Sequence, residues 1–161
     1  MCSAQGGYVR KHNPWTNFTN VPSTLNMPLT SFPSSNSYGS LPTISIVVPN
    51  LNNDMHDGSI RQGDTWLQSH MDAYVQWANT HNSLFILTWD EDDFTQANLI
   101  PTIFAGPMVR GGRYGETINH YSILRTSEAI YSLPDAGPHS IATPIPALWR
   151  GARHPTPHPR S

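Results

Sequence analysis

Prolines are distributed unevenly along this chain, and their positions constrain its fold more than any other feature. Of the 15 prolines in 161 residues, none lies between Asn50 and Ile100, six precede that segment and seven fall in the last 28 residues. Because proline breaks helix interiors and central strands, we expect regular structure in the middle of the chain. Residues 15–41, rich in Asn, Ser, Thr and Pro, predict a long loop, and residues 151–161 predict a disordered tail.

The length and the charge of the chain exclude several classes of protein. Its length is that of one domain. The formal net charge is −2 and only 12% of the residues are charged, so we expect no nucleic-acid partner bound through its phosphates. The single Cys2 excludes an internal disulfide. No apolar run approaches the ~18 residues of a membrane span, and residues 1–30 lack the apolar stretch of a secretory signal, so the cellular location stays open.

The proline-free middle predicts a strand, a helix and a second strand. Residues 43–48 (TISIVV) and 83–89 (SLFILTW) are short apolar runs typical of buried strands. Asp64 is the predicted N-cap of an amphipathic helix whose inner face repeats about every four residues. That face consists of Leu67, Met71, Val75 and Ala78. A helix between two strands normally connects parallel neighbours, so we expect a βαβ unit.

Two further elements are predicted beyond this unit. Residues 100–105 (IPTIFA) are a third candidate strand, whose orientation stays open because the preceding loop is too short for a helical crossover. Ser122 is the predicted N-cap of a second helix that runs to Leu133. In the first helix, three aromatic side chains at helical spacing are interpreted as packing residues. They are Trp66, Tyr74 and Trp77.

Acidic residues are concentrated in the same proline-free segment. Eight of the 11 Asp and Glu residues lie between Asp54 and Asp93, where Arg61 is the one Lys or Arg, which leaves a local formal charge of −7. Most of these acids lie in two loops, residues 53–58 and 90–93, that each follow a predicted parallel strand. We therefore expect both loops at one edge of the sheet, where ligand sites of α/β folds form.

The chemistry of these loops has two interpretations from spacing alone. Crowded carboxylates call for a cation or a proton, which a divalent metal would supply, but a run of acids after a strand is also typical of a solvated turn. His56 beside Asp57 is similarly open, because a loop histidine can simply hydrogen-bond its neighbour. The other histidines considered show no ligand spacing. They are His12, His70, His81, His139, His154 and His158.

Several motifs together carry a resemblance to a known family. They are KHNPW at 11–15, VVPNLNNDMHDGSI at 47–60, GDTWL at 63–67, TWDEDD at 88–93, IPTIF at 100–104, GPM at 106–108 and NHYSILRT at 119–126. In this order they resemble the phosphoesterase family that includes acid phosphatases and phosphatidylcholine-type phospholipases C. The resemblance implies an α/β fold similar to alkaline phosphatase, a three-layer αβα arrangement with a mostly parallel sheet, and hydrolysis of phosphate esters.

The resemblance also implies roles for particular residues. Asp90 and Glu91 match the acidic pair that binds the catalytic metal, here one divalent ion whose identity (Mg, Ca, Mn or Zn) stays open. His56 matches a histidine that contacts the phosphoryl or leaving group, with Asp57 as its neighbour. His120 matches a histidine that lies near the site in some relatives. The implied catalytic residues are therefore His56, Asp57 and His120.

One half of the family pattern is absent from the chain. Family members are usually nearly twice as long, and their first half supplies Glu-Asn metal ligands and the Ser or Thr nucleophile. Residues 1–150 are therefore expected to be the carboxyl-terminal half of a phosphoesterase domain, truncated on its amino-terminal side, with no nucleophile. The expected substrate is a small phosphate ester or a phospholipid. The alternative is a non-catalytic remnant or binding module that pairs with another chain, and self-association through an exposed sheet edge is expected.

Overall fold

The structure is a computed structural model that describes residues 7–136 and 141–151. It divides into two compact units, Met1–Trp77 and Ala78–Ser161, and each is described by itself. The predicted tail lies outside the described residues except for Gly151, which is exposed. Within the described ranges, no helix is both long and apolar enough to cross a membrane.

Helices and strands lie mostly in the middle of the chain, as the proline distribution predicts. The described elements are helix α1 (Ile60–Ala78), strand β1 (Phe85–Thr88), strand β2 (Thr102–Ala105), helix α2 (His120–Ile130) and the short 3-10 helices Arg10–His12, Pro14–Asn17, Ser23–Leu25, Leu29–Ser31 and Ser35–Ser40. The predicted long loop at 15–41 thus contains 3-10 turns and neither an α-helix nor a strand.

Helix α1 begins four residues before its predicted start. The Ser59 N–H donates to Gln62 Oε1 at 2.8 Å, and the Gln62 N–H donates to Ser59 Oγ at 3.3 Å. This reciprocal pair satisfies two backbone donors of the first turn. The prediction of Asp64 as the N-cap is therefore wrong, because Ser59 already closes the helix with a partner three residues later.

Aromatic side chains of α1 form much of the packing in the first unit. Tyr74 and Trp77 lie with their ring centroids 5.3 and 5.7 Å from that of Tyr38, which is buried, and Phe32 lies 6.2 Å from Tyr74. The prediction that Tyr74 and Trp77 are packing residues is confirmed. Trp66 instead stacks on His70, with ring centroids 4.5 Å apart.

The sheet of the described residues has two strands and is antiparallel. Phe85 pairs with Ala105 and Thr88 with Thr102, whereas residues 43–48 form no strand. The predicted βαβ unit and mostly parallel sheet are therefore wrong, and a three-layer arrangement is not seen. The loop that joins β1 to β2 contains no helix, and a parallel pair needs a crossover that usually does. Reversal of the chain is the simpler connection.

Helix α2 begins at a cap other than the predicted one. Asn119 is the N-cap, since its Oδ1 accepts from the Ser122 N–H at 3.1 Å while Ser122 Oγ accepts from the Asn119 N–H at 3.3 Å. Ser122 is thus the second member of a capping box and not the cap itself. The helix ends at Ile130, before the predicted Leu133.

The second unit has its own hydrophobic core. Its buried members are Val109, Ile130, Ile145, Leu148 and Trp149. Thr126, fully buried on α2, accepts a hydrogen bond from the Ile145 N–H at 2.9 Å. This contact fixes the segment around Ile145 against α2.

Candidate functional site

Asp54 holds two histidines of the first unit in place. His12 Nδ1 lies 2.9 Å from Asp54 Oδ2, and the backbone N–H of His56 donates to Asp54 Oδ1 at 2.9 Å. An ionised carboxylate only accepts hydrogen bonds, so His12 Nδ1 carries the proton and donates. A single side chain therefore orients the ring of one histidine and the backbone of the other.

The second histidine has a carboxylate of its own. His56 Nδ1 lies 2.8 Å from Asp57 Oδ1, and the ring centroids of His12 and His56 are 5.3 Å apart. We call these four residues, His12, Asp54, His56 and Asp57, the histidine–aspartate cluster. Neither Nε2 atom has a hydrogen-bond partner among the described residues. Two imidazoles thus lie side by side, each oriented through Nδ1 and each with Nε2 free for a ligand.

The two pairs of the cluster differ in their exposure to solvent. The side chains of His12 and Asp54 are 20% and 16% exposed, whereas those of His56 and Asp57 are 48% and 55% exposed. Water screens the second pair more strongly. The His12–Asp54 pair is therefore the more rigidly held of the two.

The backbone of residues 53–58 is tightly wound. Met55, between Asp54 and His56, has a φ of +75°, which is uncommon for a residue with a side chain. At Gly58, a Cβ atom would lie 1.8 Å from the carbonyl oxygen of Asn52. Only glycine fits there, so the loop can place His56 and Asp57 in this way only because residue 58 has no side chain.

His12 is the cluster member that the sequence did not reveal. It lies 42 residues before Asp54, and no spacing rule connects positions so far apart. The available signal was its place in KHNPW at 11–15, one of the motifs that carried the family resemblance. The hydrogen bond between His56 and Asp57, foreseen as the simpler interpretation, is present.

In the second unit, Asp92 organises the acidic loop after β1. Its carboxylate accepts from three backbone N–H groups, those of Phe94, Gln96 and Asn98, at 2.7–3.1 Å. These bonds, above all that from Gln96, lower the pKa of Asp92. Asp93 accepts in the same way from Thr95. Two of the four consecutive acids are therefore used to hold the loop itself.

The other two acids are the predicted metal pair. The side chains of Asp90 and Glu91 are exposed and have no hydrogen-bond or ion-pair partner within the described part of the chain. His120, the first residue of α2, donates from Nε2 to the Asp90 carbonyl oxygen at 2.8 Å. The structure thus brings His120 to the backbone of the acidic pair.

The fit of Asp90 and Glu91 to a divalent cation is partial. Exposed, unpaired carboxylates are the ligands that hard cations prefer. In the described ranges, however, no group of three His, Cys, Asp or Glu side chains is arranged to hold a metal ion. The pair can supply part of a coordination shell, and further ligands would have to come from elsewhere.

A sequence profile of the Phosphoesterase family matches residues 2–134. The chain belongs to the Phosphoesterase family. Its members are hydrolases that act on phosphate esters, and the family predicted from the motifs is confirmed. The family match spans both the histidine–aspartate cluster and the acidic loop after β1. No solved structure matches the chain.

Curated relatives of this phosphoesterase carry phosphatase names. It is 56% identical over 149 residues to a phosphatidylinositol-3-phosphatase of Mycobacterium tuberculosis, a match that covers 92% of this chain and 50% of the relative. It is 30% identical to a phosphate-repressible acid phosphatase of Penicillium chrysogenum, over 84% of this chain and 35% of the relative. A probable acid phosphatase of Kluyveromyces lactis is also 30% identical, over 82% and 34%. The chain spans half or less of the length of these relatives.

Proposed function

We propose that this phosphoesterase chain takes part in hydrolysis of phosphate monoesters and that the histidine–aspartate cluster contacts the phosphoryl group. The observation that carries the proposal is the side-by-side placement of two imidazoles, each with Nδ1 on a carboxylate. A free Nε2 accepts a proton when the ring is neutral and donates to a phosphate oxygen when the ring is charged. These are the two tasks that ester hydrolysis sets for a side chain.

The two histidines divide these tasks according to their environments. His12 is the better-held ring, and Asp54 stabilises the imidazolium that forms when Nε2 takes up a proton. His12 is therefore assigned to proton transfer at the leaving-group oxygen. The more exposed His56 is assigned to a charge-assisted hydrogen bond with a phosphoryl oxygen, with Asp57 fixing its ring.

Asp90 and Glu91 would hold a divalent cation, for which Mg, Ca, Mn and Zn are the candidates. When bound, the cation neutralises negative charge on the transferring phosphoryl group. His120 acts on this pair through the Asp90 carbonyl, which it holds at the start of α2. We assign His120 a positioning role.

The substrate proposal rests on the relatives. All three are named as phosphatases, and the one that is 56% identical is named a phosphatidylinositol-3-phosphatase. We therefore favour a phosphomonoester, with a phosphorylated lipid headgroup as a candidate, over the phosphodiester of a phospholipase C. The Ser or Thr nucleophile implied by the family resemblance has no counterpart in this chain, and activity is proposed for the chain joined to the half that it lacks.

A hybrid protein tests this proposal. In the hybrid, the 161-residue chain replaces the matching segment of the Mycobacterium tuberculosis relative. We expect it to hydrolyse p-nitrophenyl phosphate, and we expect His56→Ala to lower kcat/KM about 100-fold or more because a charge-assisted contact to the phosphoryl group is lost. His70→Ala is the control, since His70 is an exposed histidine of the same unit that bonds only to its own helix. Equal rates in the two variants would refute the assignment.

Metal binding is tested separately, by calorimetric titration of the hybrid with Mn²⁺. Asp90→Asn and Glu91→Gln should each weaken binding about tenfold or more, because each removes one charged ligand from a small set. Glu116→Gln, an exposed acid of the same unit, should leave the affinity unchanged. Unaltered affinity in Asp90→Asn and Glu91→Gln would remove these residues from the metal site.

A further inference from the structure

A long stretch of the first unit has no charge and many exposed apolar side chains. Residues 13–53 contain no Asp, Glu, Lys or Arg. Within them, seven large apolar side chains are 36–63% exposed: Phe18, Leu25, Met27, Leu29, Ile44, Ile46 and Val48. We call these seven side chains the uncharged surface. Depletion of charge together with apolar exposure marks the core of a protein–protein interface and not an ordinary solvated face.

The carboxyl-terminal part of the uncharged surface has the composition of a strand but is not one. Residues 44–48 (ISIVV) are mostly β-branched, which favours strands, yet they form neither a strand nor a helix, and Ile44 and Ile46 are about half exposed. Local preference and observed structure normally agree in a natural sequence. A β-forming run that pairs with nothing described is the kind of segment to which another strand can add.

The relatives indicate which partner would cover this surface. The Mycobacterium tuberculosis relative is 56% identical over nearly the whole of this chain, and the match accounts for only half of that relative. About as many residues again must therefore pack against something. An uncharged surface also disfavours the main alternatives, because anionic membranes and nucleic acids are attracted by basic residues that residues 13–53 lack.

We propose that the uncharged surface is the docking site for a polypeptide equivalent to the unmatched half of the Mycobacterium tuberculosis relative, and that residues 44–48 pair with a strand of that polypeptide. This inference concerns assembly and uses no residue of the histidine–aspartate cluster. Docking would give the chain the larger sheet that the isolated units do not show.

Amide hydrogen exchange measures this pairing directly. Exchange at residues 44–48 is compared between the 161-residue chain alone and the hybrid, in which the unmatched half is present. Strand pairing should slow exchange there at least 100-fold in the hybrid, because exchange from a hydrogen-bonded strand requires it to open. Equal exchange in the two proteins would overturn the proposal, and this readout is independent of whether the hybrid hydrolyses any ester.

Substitutions and mass measurement complete the test. Ile46→Lys should restore fast exchange at residues 44–48 in the hybrid, whereas Ile60→Lys should not, since Ile60 is an 80% exposed isoleucine of the same unit outside the uncharged surface. Equal effects of the two substitutions would overturn the proposal. Light scattering of the chain alone distinguishes a second occupant: a dimer in which residues 44–48 are already protected would show that a second copy covers this surface, which also overturns it.

Discussion

Asp54→Asn should lower kcat/KM of the hybrid for p-nitrophenyl phosphate by about 10²- to 10⁴-fold while the protein stays folded. The carboxylate accepts from His12 Nδ1 with one oxygen and from the His56 N–H with the other. An amide has one oxygen, so in either orientation its NH₂ group faces one of these donors and that contact is lost. If the amide faces His12, the ring is forced into the other tautomer and its Nε2 can no longer accept a proton.

The matched control for this variant is Asp72→Asn. Asp72 is an exposed acid on α1 whose described side-chain contact is with Gln76, one turn away. It should leave kcat/KM within about twofold of the unsubstituted hybrid. If Asp54→Asn were as active as Asp72→Asn, the orientation of His12 by Asp54 would have no part in catalysis, and His12 would lose its assigned role.

The second large effect is expected at Gly58, on stability as well as on activity. A Cβ atom there would lie 1.8 Å from the Asn52 carbonyl oxygen and 2.6 Å from its carbon. Because backbone atoms cannot rotate aside as a side chain can, Gly58→Ala must displace the whole turn that carries His56 and Asp57. We expect a loss of about 3 kcal/mol in the free energy of unfolding, measured by urea denaturation, together with loss of activity in the hybrid.

Gly39→Ala serves as the control for the loop substitution. Nothing lies within 4 Å of the position that a Cβ atom would take at Gly39, so its free energy of unfolding should change by less than about 1 kcal/mol. A Gly58→Ala variant as stable and as active as Gly39→Ala would show that residues 53–58 adopt another conformation.

Local features of this fold could be predicted from the sequence. The amphipathic repeat of α1 and the packing of Tyr74 and Trp77 depend on residues three or four positions apart. The errors at the helix starts have the same local origin. Ser59 with Gln62, and Asn119 with Ser122, are each a capping pair three residues apart, and the polar residues Asp64 and Ser122 lie just beyond their starts.

Features that depend on distant partners could not be predicted. Whether residues 43–48 join a sheet depends on a neighbouring strand, and the sequence pattern describes only the segment itself. The contact of His12 with Asp54 joins positions 42 residues apart. The distinction among the four consecutive acids is also structural, because only the folded loop shows that Asp92 holds its own backbone while Asp90 and Glu91 stay unpaired.

The central claim is that His12 and His56 together bind the phosphoryl group, and a phosphate titration tests it most directly. The 161-residue chain, labelled with ¹⁵N at histidine, is titrated with inorganic phosphate and the ring nitrogens are followed by NMR. The account predicts that the Nε2 signals of His12 and His56 shift together, with one dissociation constant, while those of His70 and His81 stay in place. Shifts confined to His70 or His81, or no shift of His12 and His56 at saturating phosphate, would contradict it.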